Sequence, residues 1–422
     1  MTKTKKVVKK TKKNELIFIQ MAAYRDPELL PTIKDCIAQA DKPENLRFCI
    51  AWQHAPEDKW DTLEEYYEDE RFIILDIPYM ESKGTCWARN LIQQYWDGES
   101  YTLQLDSHHR FVEGWDTMLI GMVKDLQKVG HPKPLLTAYV TSYNPKTYPE
   151  NSGQGPWYLT FDRFTPQGAM FFIPAVVPDW EKRKLAYPSR FYSAHFAFTV
   201  GEFCKEVPHD PNYLFHGEEI SIAARAFTWG YDLFAPHKVC VYHEYSRQHR
   251  PRKSWDDLPQ WGVWDKDSHA RHRRLLNIDG EGVDGEDFGQ YGFGTVRTLA
   301  EYEAYAGVRF VDRSVQQYTL DHGLPPNPPG EFHRVFKHCI DIPFDWVPYD
   351  DYDVWAVAFE NKDGKEFYRQ DASEEEIKRM KSDPVGYCKL WRIFHASEQP
   401  KKWIVWPHSR QHGWGPRYTG NI

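Results

Sequence analysis

From Leu16 the chain reads Leu-Ile-Phe-Ile-Gln-Met, an apolar run with a single polar position, too short for a helix and suited to a strand buried on both faces. Pro27 to Ala40 predicts a helix, Arg47 to Trp52 a second strand and Phe72 to Leu75 a third. Thr85 to Tyr95, preceded by Gly84, predicts another helix. Tyr101 to Leu105 then forms a fourth strand that runs directly into Asp106. Strands alternating with helices in this way predict an α/β, Rossmann-like sheet whose ligand sits at the carboxyl ends of the strands.

Further strands are expected at Leu135 to Thr141, Ala169 to Ile173 and Ala194 to Phe198, with a Pro-, Gly- and Tyr-rich loop at Asn144 to Trp157. Gly217 to Trp229 has a helical pattern and opens with two acids, a placement that the helix dipole favours. Short strands at Asp232 to Ala235 and Val239 to Tyr242 bring the chain to His243, and Asp279 to Gly294 is a Gly- and acid-rich loop. The run Pro325-Pro326-Asn327-Pro328-Pro329-Gly330 marks a change in composition. The expected organisation is a basic tail over 1–14, a catalytic domain over 15–324, a Pro-rich linker over 325–343 and a smaller β-rich module over 344–422. In that module Val354 to Phe359 and Glu366 to Tyr368 predict a hairpin, and Lys401 to Trp406 a further strand.

At 422 residues the chain is long enough for two domains, and 16% aromatic content, with 17 Trp and 25 Tyr, suits either stacking on sugars and bases or an aromatic-heavy core. The net charge of −8 conceals seven lysines and no acid in the first thirteen residues, which leaves an acidic body and argues against nucleic acid as a partner. No apolar run approaches the roughly 18 to 20 residues that span a bilayer, and no apolar core follows the first lysines. The seven cysteines are scattered and lack a CxxC pair, which favours free thiols. A soluble, cytoplasmic protein with no membrane partner is expected.

The most informative chemistry is Asp106-Ser107-His108-His109 at the end of a buried strand. A carboxylate and an imidazole two positions apart in extended chain point the same way, so both reach one cation. Such a pair suits Mn2+ or another divalent ion that neutralises charge on a departing diphosphate. Standing alone, an Asp-x-His is more often a turn or a surface pair.

Its context is an ordered set of motifs. Leu105-Asp106-Ser107-His108 is followed by Glu113-Gly114-Trp115, and Gly84-Thr85-Cys86-Trp87-Ala88-Arg89-Asn90 precedes it. Asp210-Pro211, Phe215-His216-Gly217-Glu218-Glu219-Ile220-Ser221 and Tyr242-His243 come later, with Ala22-Ala23-Tyr24-Arg25-Asp26 at the start and Gly289-Gln290-Tyr291-Gly292-Phe293-Gly294 with Arg297 near the end. Together they resemble the mucin-type polypeptide GalNAc-transferases and, more closely, the cytosolic polypeptide (hydroxyproline) α-GlcNAc-transferases, over roughly Leu16 to Gly307. Gly-Glu-Glu stands where the mucin-type enzymes have Gly-Glu-Asn, and the terminal module lacks a mucin-type lectin repeat.

The resemblance implies a GT-A catalytic domain and a metal-dependent, retaining transfer of GlcNAc or a related HexNAc from a UDP-sugar to a polypeptide hydroxyl. It implies Asp106, His108 and His243 as metal ligands, and Tyr24, Arg25, Arg89, Asp106 and Gly217 beside the donor. Glu218 and Glu219 are the catalytic candidates, about 100° apart on a helix, with Glu218 favoured because it follows a glycine that permits close approach. His109 is either a fourth ligand or, preferably, a hydrogen-bond partner within its own turn. Alternatives are a glycan or small-molecule acceptor, a non-catalytic sugar-binding protein, and a zinc hydrolase, for which no HxxEH-like pattern is found.

Overall fold

The computed structural model describes residues 15–60, 62–150, 152–246, 253–382, 386–396 and 398–422, so the lysine-rich stretch 1–14 lies outside the described residues. The described chain forms two units. The first runs to Val311 and takes in Tyr318–Pro329; the second comprises Asp312–Gln317 and Gly330–Ile422.

The first unit is built on a mixed eight-stranded sheet. Its parallel half consists of β1 (Ile17–Tyr24), β2 (Leu46–His54), β3 (Phe72–Pro78) and β4 (Tyr101–Asp106), in the order β3-β2-β1-β4. The side chains of β1, β2 and β4 are covered on both faces, whereas β3, at the edge of the sheet, buries only Ile77 fully. Helix α1 (Leu29–Ala38) packs on one face through Leu29, Thr32, Ile33 and Cys36, one stripe at helical spacing. Helix α2 (Thr85–Gln93) covers the other through Ala88 and Ile92. Helix α3 (Trp115–Lys128), which the sequence reading did not pick out, adds Trp115, Leu119, Met122 and Val123 to the core shared by Met21, Ile50 and Leu103.

Beyond β4 the sheet changes direction. After β5 (His109–Phe111), β6 (Pro134–Thr137), β7 (Trp157–Phe164), β8 (Met170–Val176) and β9 (Tyr187–Pro188), strand β10 (Phe196–Val200) returns antiparallel beside β4, followed in the sheet by β6, β11 (Asp232–Ala235) and β9. Because β10 runs backwards, its entry residues Ala194 and His195 lie at the same edge as the exit of β4, where the Asp106 amide donates to the His195 carbonyl at 3.4 Å. A small separate ladder pairs β12 (Val241–His243) with β5, placing His243 opposite His109. Helices α4 (Glu218–Thr228) and α5 (Trp261–Leu275) complete the surroundings of that edge.

The second unit is a β-rich domain with one helix packed on it. Phe332–Pro343, part of the stretch that the sequence reading assigned to a linker, is a long strand whose Val335, Ile340 and Ile342 are buried, and it pairs antiparallel with Tyr387–His395. The expected hairpin forms between Tyr352–Glu360 and Glu366–Arg369, with Lys402–Ser409 on its other side. Trp355, Val357, Phe359, Leu390 and Val405 form its core, closed by the helix Glu374–Lys381, which Ser373 caps. No cysteine is paired: Cys339 is exposed and the other six are buried. No helix of the described residues is long and apolar enough to cross a membrane.

Candidate active site

At the carboxyl edge of the parallel half lies a cavity of about 390 Å3, walled by Tyr24 and Asp26 after β1, Thr85 and Arg89 on α2, Asp106 to His108 after β4, and His216 to Glu219 at the start of α4. Tyr139, Ala194, His195, His243 and Tyr245 close a second side, and Lys253, Ser254 and Trp255 a third.

Asp106, His108 and His243 converge here, with one ligand atom of each within 4.8 Å of the others. The Nε2 atoms of His108 and His243 each lie 3.6 Å from Asp106 Oδ2. Both nitrogens are buried without a hydrogen-bond partner, a costly arrangement unless a cation takes up their lone pairs. The tautomer of His108 follows from its other nitrogen. Nδ1 lies 2.7 Å from Asp26 Oδ2, a carboxylate oxygen that can only accept, so Nδ1 carries a proton and Nε2 is the nitrogen left to face a cation. Asp26 is itself fixed by the Ser107 hydroxyl at 2.6 Å and the Glu28 amide at 2.9 Å. Burial holds His243 well below the ordinary histidine value, hence neutral, and its ring stacks on His195 with centroids 4.2 Å apart. Burial opposes ionisation of Asp106, yet the neighbouring His243 imidazole and the Arg89 charge outweigh it and keep the carboxyl well below its usual range. Two imidazole nitrogens and a carboxylate, aligned on one point, fit a divalent cation such as Mn2+.

His109 stands outside this cluster: its Nδ1 lies 3.1 Å from the Asp106 carbonyl, bracing its own turn, while its amide donates to Thr32 Oγ1 at 2.9 Å.

Arg89 is buried and bridges two carboxylates, donating to Asp106 Oδ1 at 2.7 Å and to Glu218 Oε1 at 2.8 Å. Glu218 also accepts from the Cys86 thiol at 2.6 Å and has His209 Nδ1 3.6 Å away. Burial would raise its carboxyl, but Arg89 and His209 prevail and hold it at about 2. Glu219 has the opposite environment. Its Oε1 accepts from the Ala194 amide and its Oε2 from the Tyr139 hydroxyl, both at 2.9 Å. Burial, with the Glu218 charge behind it, pushes Glu219 up to about 7 against the lowering effect of that amide. The two carboxylates at the start of α4 therefore both reach the cavity wall, one permanently ionised and one able to exchange a proton near neutrality. Gly217 sits between His216 and this pair at φ +90°, and a Cβ there would lie 2.9 Å from the His272 ring.

Tyr24 lines the cavity and donates to Asp257 Oδ2 at 2.9 Å. Arg25 is not on its wall: the guanidinium is taken by Asp58 at 2.6 and 2.9 Å and by Asp257 at 3.3 Å, and the residue has φ +47°. The support that sequence reasoning missed, namely Asp26 under His108, His195 under His243, Tyr139 on Glu219 and His209 by Glu218, comes from segments far apart in the chain. Only the titratable nature of these residues signalled them.

The strand order gathers the Asp-x-His cluster and the carboxylate-bearing helix start at the carboxyl edge of the sheet, where open α/β sheets carry their ligand sites. The chain belongs to the Glycosyltransferase (GlcNAc) family, whose model matches residues 16–72 and 60–312. No curated protein matches the sequence. Among solved structures, the chain is similar to GalNAc-T7 with UDP, GalNAc and Mn2+, at 15% identity and a TM-score of 0.46 over 62% of this chain and 48% of that one. It therefore spans about half the length of that protein. Similarity extends to S. aureus TarS 1-349 in complex with UDP-GlcNAc, at 12% identity and TM-score 0.35 over 56% of this chain and 60% of that one. It extends also to the mannosyltransferase PcManGT from Pyrobaculum calidifontis with GDP-Man and Mn2+, at 13% identity and TM-score 0.35 over 56% and 58%.

Proposed function

We propose that the protein is a metal-dependent, retaining glycosyltransferase that moves GlcNAc, or a related N-acetylhexosamine, from a UDP-sugar to a hydroxyl of a polypeptide. The observation that carries this reading is the pair of buried imidazole nitrogens without partners, both facing Asp106 Oδ2 in a cavity large enough for a donor. A divalent cation held by Asp106, His108 and His243 supplies charge neutralisation for the diphosphate leaving group. Asp26 and His195 orient the two imidazoles. Arg89 locks Asp106 and Glu218 at a fixed separation, so that the α4 start and the β4 exit form one rigid wall. Glu218, permanently ionised, accepts hydrogen bonds from sugar hydroxyls. Glu219, held by Tyr139 and the Ala194 amide, orients a sugar or acceptor hydroxyl and changes protonation near pH 7. The resemblance to the polypeptide transferases supports retention, with the departing phosphate taking the acceptor proton, so no side chain is assigned as a dedicated base. It also supports the polypeptide acceptor.

The test is UDP release from UDP-GlcNAc, UDP-GalNAc and UDP-glucose with Mn2+ or EDTA, for the wild type and Asp106→Ala. Turnover of UDP-GlcNAc that EDTA and the substitution both abolish supports the proposal. The absence of metal-dependent turnover or binding with every donor removes the catalytic assignment in favour of a sugar-binding role. Incorporation of labelled sugar into peptide, rather than free glycan, tests the acceptor class.

A further inference from the structure

A second group of metal-ligating side chains lies at the rim of the same cavity and shares no residue with the first. His216, Asp265 and His269 each present a ligand atom within 4.8 Å of the other two. Asp265 and His269 stand one turn apart on α5, with Asp265 Oδ2 3.6 Å from His269 Nε2. His216 comes from the turn before α4, is exposed and lines the cavity; its ring is tilted 25° from that of His269 at a centroid distance of 6.3 Å. His269 is only 6% exposed, and its Nδ1 is buried without a hydrogen-bond partner.

The scaffold around the cluster is built rather than incidental. On the same face of α5, Arg271 pairs with Asp210 at 2.5 Å, Ser268 Oγ accepts from the Leu214 amide at 3.2 Å, and the His272 ring abuts Gly217. These contacts fix the 210–217 segment against the helix, so the three ligand residues are held in register before any ion arrives.

We propose that His216, Asp265 and His269 form a second transition-metal site that ties the turn leading into Glu218 and Glu219 to helix α5. Two imidazoles and one carboxylate suit Zn2+ or Co2+, whereas Mg2+ and Ca2+ prefer all-oxygen shells. Three protein ligands leave a position open for water or an anionic group. The bound ion fastens the segment that carries the two carboxylates, while the donor-side ion is held by other residues.

The test measures Co2+ per chain by equilibrium dialysis and by visible absorption, in an Asp106→Ala background that removes the donor-side cluster. One ion is expected in Asp106→Ala and none in Asp106→Ala/His216→Ala; His216 is exposed, so its loss leaves the fold intact. Asp106→Ala/His269→Gln is the second variant, with at least a tenfold weaker Co2+ affinity expected. Equal Co2+ content and spectrum with and without His216 overturn the proposal, as does an Asp106→Ala protein that binds no ion. Neither result depends on donor turnover, so this site and the proposed activity fail separately.

Discussion

Replacing Glu219 with Gln removes one titratable proton from the cleft while preserving its shape, because the amide oxygen still accepts from the Ala194 N–H and the amide nitrogen can donate to Tyr139. A carboxyl whose folded pKa lies above its unfolded value binds its proton more tightly in the folded state. Stability is therefore full below the unfolded value near 4.5 and is lost as pH rises to the folded value of about 7. Across that window the loss is about 3 kcal/mol, which water in the adjoining cavity screens toward about 2 kcal/mol. Gln carries no such loss. Glu219→Gln is therefore expected to match the wild type near pH 4.5 and to exceed it increasingly up to pH 8, by roughly 5 °C in the melting of the first unit. Scanning calorimetry of both proteins from pH 5 to 8 provides the comparison. A stability difference that stays constant with pH would refute the reasoning, because only the ionisation of Glu219 makes it pH-dependent.

Asp26→Asn takes the carboxylate from behind His108 and is expected to raise the Mn2+ concentration that half-activates UDP release by about 10- to 100-fold; an unchanged half-saturation would show that the His108–Asp26 bond is incidental. Arg89→Met leaves Glu218 and Asp106 facing one another without their shared cation and should cost about 3–5 kcal/mol. A denaturant midpoint corresponding to less than about 1 kcal/mol would mean that this bridge does not hold the wall together. Gly217→Ala places a methyl group against His272 at a left-handed backbone position and should cost about 1–3 kcal/mol, with a raised KM for the donor. Wild-type values for both would remove the case for a required glycine.

The parallel half of the sheet was legible because strands covered on both faces are mostly apolar, as in Leu16 to Met21, and the few polar side chains they bury, Gln20, Thr102 and Gln104, are hydrogen-bonded inside the fold. The reversal of β10 was not, since Phe-Ala-Phe-Thr-Val reads alike in either direction. Asp106 and His108 are local, so their spacing exposed them. His243 meets them only through the β12–β5 ladder, a long-range pairing with no local signature, and resemblance alone pointed to it. The different environments of Glu218 and Glu219 depend on Arg89, His209, Tyr139 and Ala194, which only folding brings together. Sequence preferred Glu218 for its glycine neighbour; the structure shows it bound to Arg89, with Glu219 the carboxyl that titrates near neutrality. Phe332–Pro343 was obscured by the neighbouring prolines, although its buried residues end in an alternating Ile340 and Ile342.

Helix α5 went unread for a different reason. Its covered face consists of Ser268, His269 and His272, with Leu275 at the end, so it has no apolar stripe to detect. A helix docked through hydrogen bonds and ion pairs exposes little hydrocarbon when it lifts away, and denaturant sensitivity scales with the surface exposed. Amide exchange along Trp261–Leu275 should accordingly proceed by small openings almost indifferent to urea, while amides of β1 and β4 exchange only with global unfolding. Opening of this flank of the cavity is thereby uncoupled from the cooperativity of the core, and the cleft can breathe without loosening the sheet that positions Asp106.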